Sequence, residues 1–302
     1  MNRRQFMEMS ALALMAGAIP QAANADARRR WGLQLFTVVA PLEQDFEGTL
    51  RAVAEIGYRE VETIGSFGRD PAYVRGILDK YGLLSPSQHL ASAELYGSFS
   101  AWSKRQITTE QNRENYVAAL QPDKAAALVD EGIRVAKTLG QKYVVWPILM
   151  APHLATREIV DAFISAFNAA GDACAREGLT FTFHNHDREF GRLGNDVIYD
   201  LLLKGTNPDT VKMEMDFYWF HKAKADPIAY LRNHPGRYRL VHVKDMAPDG
   251  DFTVVGGGII DLKRLIGKAR KAGVQHFYVE YDRSADPLKE IRASFDYLRK
   301  IR

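Results

Sequence analysis

Residues 180–189 read Thr-Phe-Thr-Phe-His-Asn-His-Asp-Arg-Glu. The run begins with alternating β-branched and aromatic residues, the composition of a buried strand, and closes in polar groups. Side chains two apart on a strand share a face, so His184 and His186 leave this strand end in the same direction. Three later stretches repeat the design. Residues 211–217 finish with Glu214 and Asp216, residues 240–246 with His242, Lys244 and Asp245, and residues 277–282 with Glu280 and Asp282.

Working outward, the same alternation runs through the chain. Further apolar strands are expected at 31–36, 58–63, 83–89 and 142–149. Between strands lie amphipathic stretches opened by Asp45, Asp70-Pro71, Thr156, Asp226-Pro227, Asp261 and Asp286-Pro287, and mostly closed by Gly. Asp or Thr at the cap, Pro at the first helical position and Gly past the end are helix start and stop signals. Eight strands alternating with eight helices over residues 26–302 predict one (β/α)8 TIM barrel. A doubly wound open sheet is the alternative, but it calls for a Gly-rich turn after the first strand, and residues 36–42 contain no glycine. Residues 91–121 form an insertion, expected to be partly helical, at the end where barrel loops build active sites.

The first 25 residues read as an export signal rather than fold. Paired arginines at Arg3-Arg4, a short apolar run over 9–20 and Ala23-Asn24-Ala25 match a twin-arginine-type signal with its cleavage site. The apolar run is too short to span a bilayer, so a periplasmic or exported protein without stable membrane insertion is expected. The net charge of +3 on 302 residues is too small for a nucleic-acid binder. The single cysteine, Cys174, permits no intrachain disulfide and reads as a small core residue. Self-association is left open.

In a barrel the C-terminal strand ends converge on one pocket. His184, Asp216, His242 and Glu280 then form a candidate metal set. Two nitrogens and two carboxylates suit Mn2+, Co2+, Fe2+ or Zn2+ better than Mg2+ or Ca2+, and Mn2+ is the first expectation. Lys244, His186 and Glu280 are the candidate acid/base groups, with Lys244 expected to lose basicity beside a cation. Glu214, deeper on its strand, is expected to orient a ligand or Lys244. Glu62, His89, Trp146, Glu189 and Trp219 are candidate substrate contacts, with Tyr218 beside them as a stacking surface. Gly256-Gly257-Gly258 fits no nucleotide fingerprint and reads as a flexible loop.

On the stretches 183–186, 213–216, 242–245 and 279–283 the chain resembles the xylose isomerase-like barrel superfamily. That group includes sugar epimerases, inosose isomerases and dehydratases, and endonuclease IV relatives. The resemblance covers residues 31–302 and implies one divalent metal on His184, Asp216, His242 and Glu280. Many epimerases of the group carry Glu at the first of these positions, and the His-Asn-His form is closer to members acting on inososes and 3-keto-sugars. The expected function is a metal-dependent isomerase or epimerase of a non-phosphorylated sugar or ketosugar, working through an enediolate. The alternative is a lyase or hydratase of 3-keto-glycosides or inososes. A metallo-phosphodiesterase would need a basic face and more ligands, and a non-catalytic sugar-binding barrel would need no ligand set.

Overall fold

The structure is a computed structural model that describes residues 30–301. The expected export signal lies outside the described residues. Eight parallel strands close into a barrel: β1 (Gly32–Gln34), β2 (Glu60–Ile64), β3 (Leu84–His89), β4 (Tyr143–Trp146), β5 (Thr180–His184), β6 (Val211–Asp216), β7 (Tyr238–Val243) and β8 (His276–Val279). Each strand pairs with its sequence neighbours, and β1 pairs with β8 to close the sheet. The (β/α)8 reading therefore holds, and the open-sheet alternative does not. No described helix is long and apolar enough to cross a membrane.

The helix signals act as read. Asp45, Asp70, Thr156, Asp226, Asp261 and Asp286 each accept a backbone N–H in the first turn of the helix they precede. Each such cap satisfies a donor that the helix cannot, and is worth about 1 kcal/mol. The insertion after β3 forms two helices, Ala93–Ser103 and Thr109–Ala119, the second fixed by a reciprocal capping box between Thr108 and Gln111.

Alternation sorts each strand into an inner and an outer row. On β5, Phe181 and Phe183 face outward onto Phe167 of the Arg157–Arg176 helix, at ring distances of 5.3 and 5.4 Å. His184, of the opposite parity, points inward. On β4, Tyr143 and Val145 belong to an inner cluster with Leu240 and Tyr278. Trp146 is therefore on the outer row, fully buried against Phe163 and Phe167 at 6.0 and 5.3 Å. That corrects its reading as a substrate contact: it is core. Trp146→Ala should cost about 3–5 kcal/mol of stability in chemical denaturation, whereas a binding role alone would leave stability intact.

Below the mouth, Tyr278 crosses the barrel and its hydroxyl meets Ser87 Oγ at 2.9 Å. Any Cβ at Gly32 would collide with the Tyr278 ring, so the glycine makes room for it. The Gly256-Gly257-Gly258 loop is not loose. Asp245 accepts the backbone N–H groups of Met246, Gly256, Gly258 and Ile260 at 2.8–3.2 Å. A side chain at Gly258 would strike Asp245 and the Met246 carbonyl. The triple glycine wraps an anion, but the anion is the chain's own carboxylate.

Candidate active site

Strand register sets the site. His184 on β5 lies level with Glu214 on β6, and Asp216 one inward step further lies level with His242 on β7. These inward side chains meet in two tiers. In the upper tier His184, Asp216, His242 and Glu280 each offer a ligand atom, all within 4.8 Å of one another and all buried. In the lower tier His89, His184, Glu214 and His242 offer atoms within the same distance, His89 half-buried and the other three buried.

The tiers use opposite ring nitrogens. His184 Nδ1 is 3.1 Å from Glu214 Oε2, while its Nε2 faces Asp216 Oδ2 at 3.9 Å. His242 Nε2 is 2.6 Å from Glu62 Oε2, while its Nδ1 is 2.6 Å from Glu280 Oε2 and 3.9 Å from Asp216 Oδ2. At His184 a ring N–H donated downward to Glu214 leaves Nε2 as a lone pair, the second-layer support found around metal-ligating histidines. His242 has a carboxylate at each nitrogen and, against burial, is held well above the ordinary imidazole range by Glu214 and Glu280. Glu62 is fixed in turn by Gln34 at 2.7 Å and Ser87 at 2.6 Å. It is fully buried and does not line the pocket, so its expected substrate contact is corrected: it orients His242. His89 does line the pocket and holds Glu214 at 2.9 Å.

Electrostatics follow from four buried carboxyl groups, Glu62, Glu214, Asp216 and Glu280, and the half-buried Asp282, set among imidazoles and one ammonium. Burial pushes Asp216 up to about 6 against the pull of Lys244 and His242. Burial and the neighbouring Glu214 raise Glu62. Glu214 and Glu280 are buried too, but the imidazoles around Glu214, and Lys244 with His242 beside Glu280, hold both well below the usual range. Burial opposes a charge on Lys244, yet Asp216, Asp282 and Glu280 at 3.2, 2.8 and 2.7 Å hold it well above an ordinary lysine. His186 is driven the other way, by burial and then by His184 and Lys244, and stays a neutral imidazole. Burial and His242 similarly depress His184, to about 3.

The upper donors fit a divalent cation. Lys244 stands at ion-pair distance from Asp216 Oδ2, but not along a hydrogen bond, and this buried oxygen has no hydrogen-bond partner among the described residues. A mixed imidazole and carboxylate set with such an open oxygen suits a transition-metal ion.

The cavity above holds about 380 Å3. Its inner end carries His89, His184, His186, Lys244, Glu280 and Asp282. Trp219 lines it as expected, edged by His186 at 5.1 Å and Lys244 at 5.6 Å. Asp216 positions this tryptophan: its Oδ1 accepts the Trp219 backbone N–H and caps the short helix Phe217–Lys222, whose first residue was expected as the end of the strand. Tyr218 is turned away, stacked on Phe252 at 4.2 Å. Glu189 also misses the pocket. It is fully buried and accepts the His186 backbone N–H at 2.9 Å, so it shapes the loop that carries His186. Burial raises it to about 7 against those backbone donors. The folded state therefore holds its proton where the unfolded chain has lost it, and this contribution to stability is present in acid and lost as pH rises from about 4.5 to 7. Glu189→Gln should flatten stability against pH over that window, by up to about 3 kcal/mol in urea melts. Sequence reading missed the insertion residues Phe99, Trp102 and Tyr116, which form the outer wall.

This barrel with its two-tier cluster defines a class. The description of the xylose isomerase-like TIM barrel matches residues 50–301, and the chain belongs to that family. It is 22% identical over 272 residues to an inosose dehydratase of Lacticaseibacillus casei, covering 82% of this chain and 85% of that protein. An inosose dehydratase of Geobacillus thermodenitrificans is 27% identical over 165 residues, 49% of this chain and about half, 54%, of that protein. Among solved structures, a sugar phosphate isomerase/epimerase from Parabacteroides distasonis superposes with a TM-score of 0.71 at 24% identity, covering 89% of this chain and 93% of its own. A probable 3-DHS dehydratase from Bacillus anthracis superposes at 0.61 with 12% identity, covering 89% and 98%.

Proposed function

We propose that the protein is a divalent-metal-dependent lyase that acts on a non-phosphorylated ketosugar, inosose or keto-glycoside by β-elimination. The observation that carries this is the unequal pair on the pocket wall: His186, with no carboxylate at ion-pair distance among the described residues, and Lys244, ion-paired to Asp216, Asp282 and Glu280. Epimerisation asks for two groups that exchange base and acid roles across one carbon. With His184 where many epimerases carry Glu, this site offers one base and one fixed cation instead. The inosose dehydratase relatives support the same direction.

His184, Asp216, His242 and Glu280 would hold the cation, with Mn2+ preferred and Co2+, Fe2+ or Zn2+ fitting the same donors. Bound there, it would supply Lewis acidity to a substrate carbonyl. His186 takes the proton from the carbon beside that carbonyl. Lys244 faces the negative charge that develops on oxygen, and its three carboxylate partners hold it in place before the reaction begins. Trp219 covers one face of the ring. Glu62 and Glu214 keep the ligating histidines in the required tautomers. The signal-like residues 2–25 support action outside the cytoplasm, where phosphorylated sugars are scarce.

Incubation with free ketoses, inososes and 3-keto-glycosides in deuterated water tests the reading. Deuterium uptake together with release of water or aglycone is expected. Uptake with sugar interconversion and no release would instead favour the isomerase or epimerase reading, which the Parabacteroides distasonis neighbour's description favours. No uptake on any of them, with metal bound, would refute both.

A further inference from the structure

The pocket is two-faced, and the elimination chemistry uses only one end. Its outer compartment is walled by Phe36, Phe99, Trp102, Tyr116, Ile148 and Met150. These come from three separate places: the turn after β1, the inserted helices and the segment after β4. Phe99 is 2% exposed and packs at tilted ring angles 5.0 Å from Phe36 and 5.7 Å from Trp102. The Trp102 indole N–H is taken by Thr109 Oγ1 at 3.1 Å, so its ring is offered to the pocket as an apolar face. The Thr109–Ala119 helix buries none of its residues, yet Tyr116, Asn112 and Arg113 from it reach the cavity. Its placement is explained by the compartment it roofs.

A cyclic polyol carries a hydroxyl on nearly every edge and is held by convergent donors and acceptors. Such groups crowd the inner end, whereas on this wall Asn112 is engaged by Ser98 and Arg113 by Glu110, and the rest is mostly aromatic and aliphatic surface. The cavity's 380 Å3 lies in the range of pockets for drug-sized ligands, roughly 300–1,000 Å3. We propose that the outer compartment binds an aromatic or other planar apolar aglycone, so that the substrate is a ketosugar glycoside rather than a free inosose or ketose. This rests on the elimination reading for its chemistry, but not for its binding.

The step balances without a co-reactant. His186 takes the proton next to the carbonyl, and the C–H electron pair becomes the new C=C bond. The C–O bond to the aglycone breaks with its pair on oxygen, and that oxygen gains a proton. The products are an unsaturated ketosugar and the free alcohol or phenol, with no net redox change. A phenol, with a pKa near 10 as in tyrosine, departs far more readily than hydroxide from water at 15.7.

Benzyl and methyl glycosides decide the matter, because both leave as alkoxides and differ in apolar surface. Calorimetry with the metal-loaded protein and the two unoxidised glucosides reads binding without any reaction. Burying a phenyl group should make the benzyl compound bind about tenfold tighter or more. The same preference should appear in kcat/KM for the two keto-glycosides, through KM. Both preferences should fall to within about threefold in Trp102→Ala, and in Tyr116→Ser should the first variant fail to fold. Equal binding of the two glucosides by the wild type, or a preference that survives both substitutions, would overturn the proposal. A benzyl preference in binding without turnover of either keto-glycoside would leave the aglycone site standing and sink the elimination reading.

Discussion

His186→Ala should slow proton removal from a ketosugar by roughly 10²–10⁴-fold, the usual worth of a positioned general base. The expectation comes from elimination among the groups on the pocket wall. Lys244 is held as an ammonium by three carboxylates and has no lone pair to offer. Glu280 is engaged by both His242 and Lys244 and is held far down the acid scale, which makes it a weak base. His186 lines the cavity as a neutral imidazole that no carboxylate engages among the described residues, whereas neutral His184 is committed to Glu214 and the upper tier. Its depressed pKa adds a second signature. The base form persists in acid, so the rate of deuterium exchange should show no His186 inflection near 6.5 as pH falls. Metal content and melting temperature of the variant should match the wild type. Exchange at the wild-type rate would move the base elsewhere.

Asp216→Ala should lower metal affinity more than Glu214→Gln, and the order matters more than either value. Asp216 supplies the open buried oxygen of the upper tier, so its loss removes a donor outright. Glu214 stands one tier below, accepting from His184 and His89 at 3.1 and 2.9 Å. Replacing such an orienting carboxylate typically costs 10–100-fold in affinity. Titration of metal-stripped protein with Mn2+ and Zn2+, read by calorimetry, should place Glu214→Gln in that range and Asp216→Ala beyond it. Equal affinities for wild type and Asp216→Ala would remove the upper tier as the metal site.

The barrel was legible because its two periodicities are clean. Strand runs of alternating parity and helices bracketed by Asp caps and glycine stops leave little room for another fold. The four upper-tier residues were legible for the same reason, since His184, Asp216 and His242 are the last inward residues of their strands and Glu280 directly follows β8. Trp146 was misread because four consecutive apolar residues, Tyr143 to Trp146, carry no parity signal of their own. Only the packing of Tyr143 and Val145 against Leu240 and Tyr278 settles which row faces in. Glu62 and Glu189 were read as substrate contacts because a charged residue at a strand or loop end is usually wet. Both are instead sealed under the pocket by partners remote in sequence or by backbone donors. Asp282 was not placed beside Lys244, because its carboxylate joins Asp216 and Glu280 around the ammonium only once β8 lies next to β7. The outer wall was invisible because the insertion has no strand period to anchor it, and its aromatics converge only once its two helices fold back over the mouth.

Glu214 has a consequence for re-engineering this barrel. Its one carboxylate oxygen serves the imidazole of His184 from β5, stands 3.3 Å from that of His242 on β7, and meets His89 from β3. Installing Glu at position 184, to graft a second exchangeable base, would set two buried carboxylates face to face. The graft would demand a simultaneous change at Glu214, and that change would in turn release His89 and loosen His242. The residues at this mouth are thus coupled as a block, and on the proposed reading a stepwise conversion from one-base to two-base chemistry would pass through a variant whose candidate ligands have lost their support.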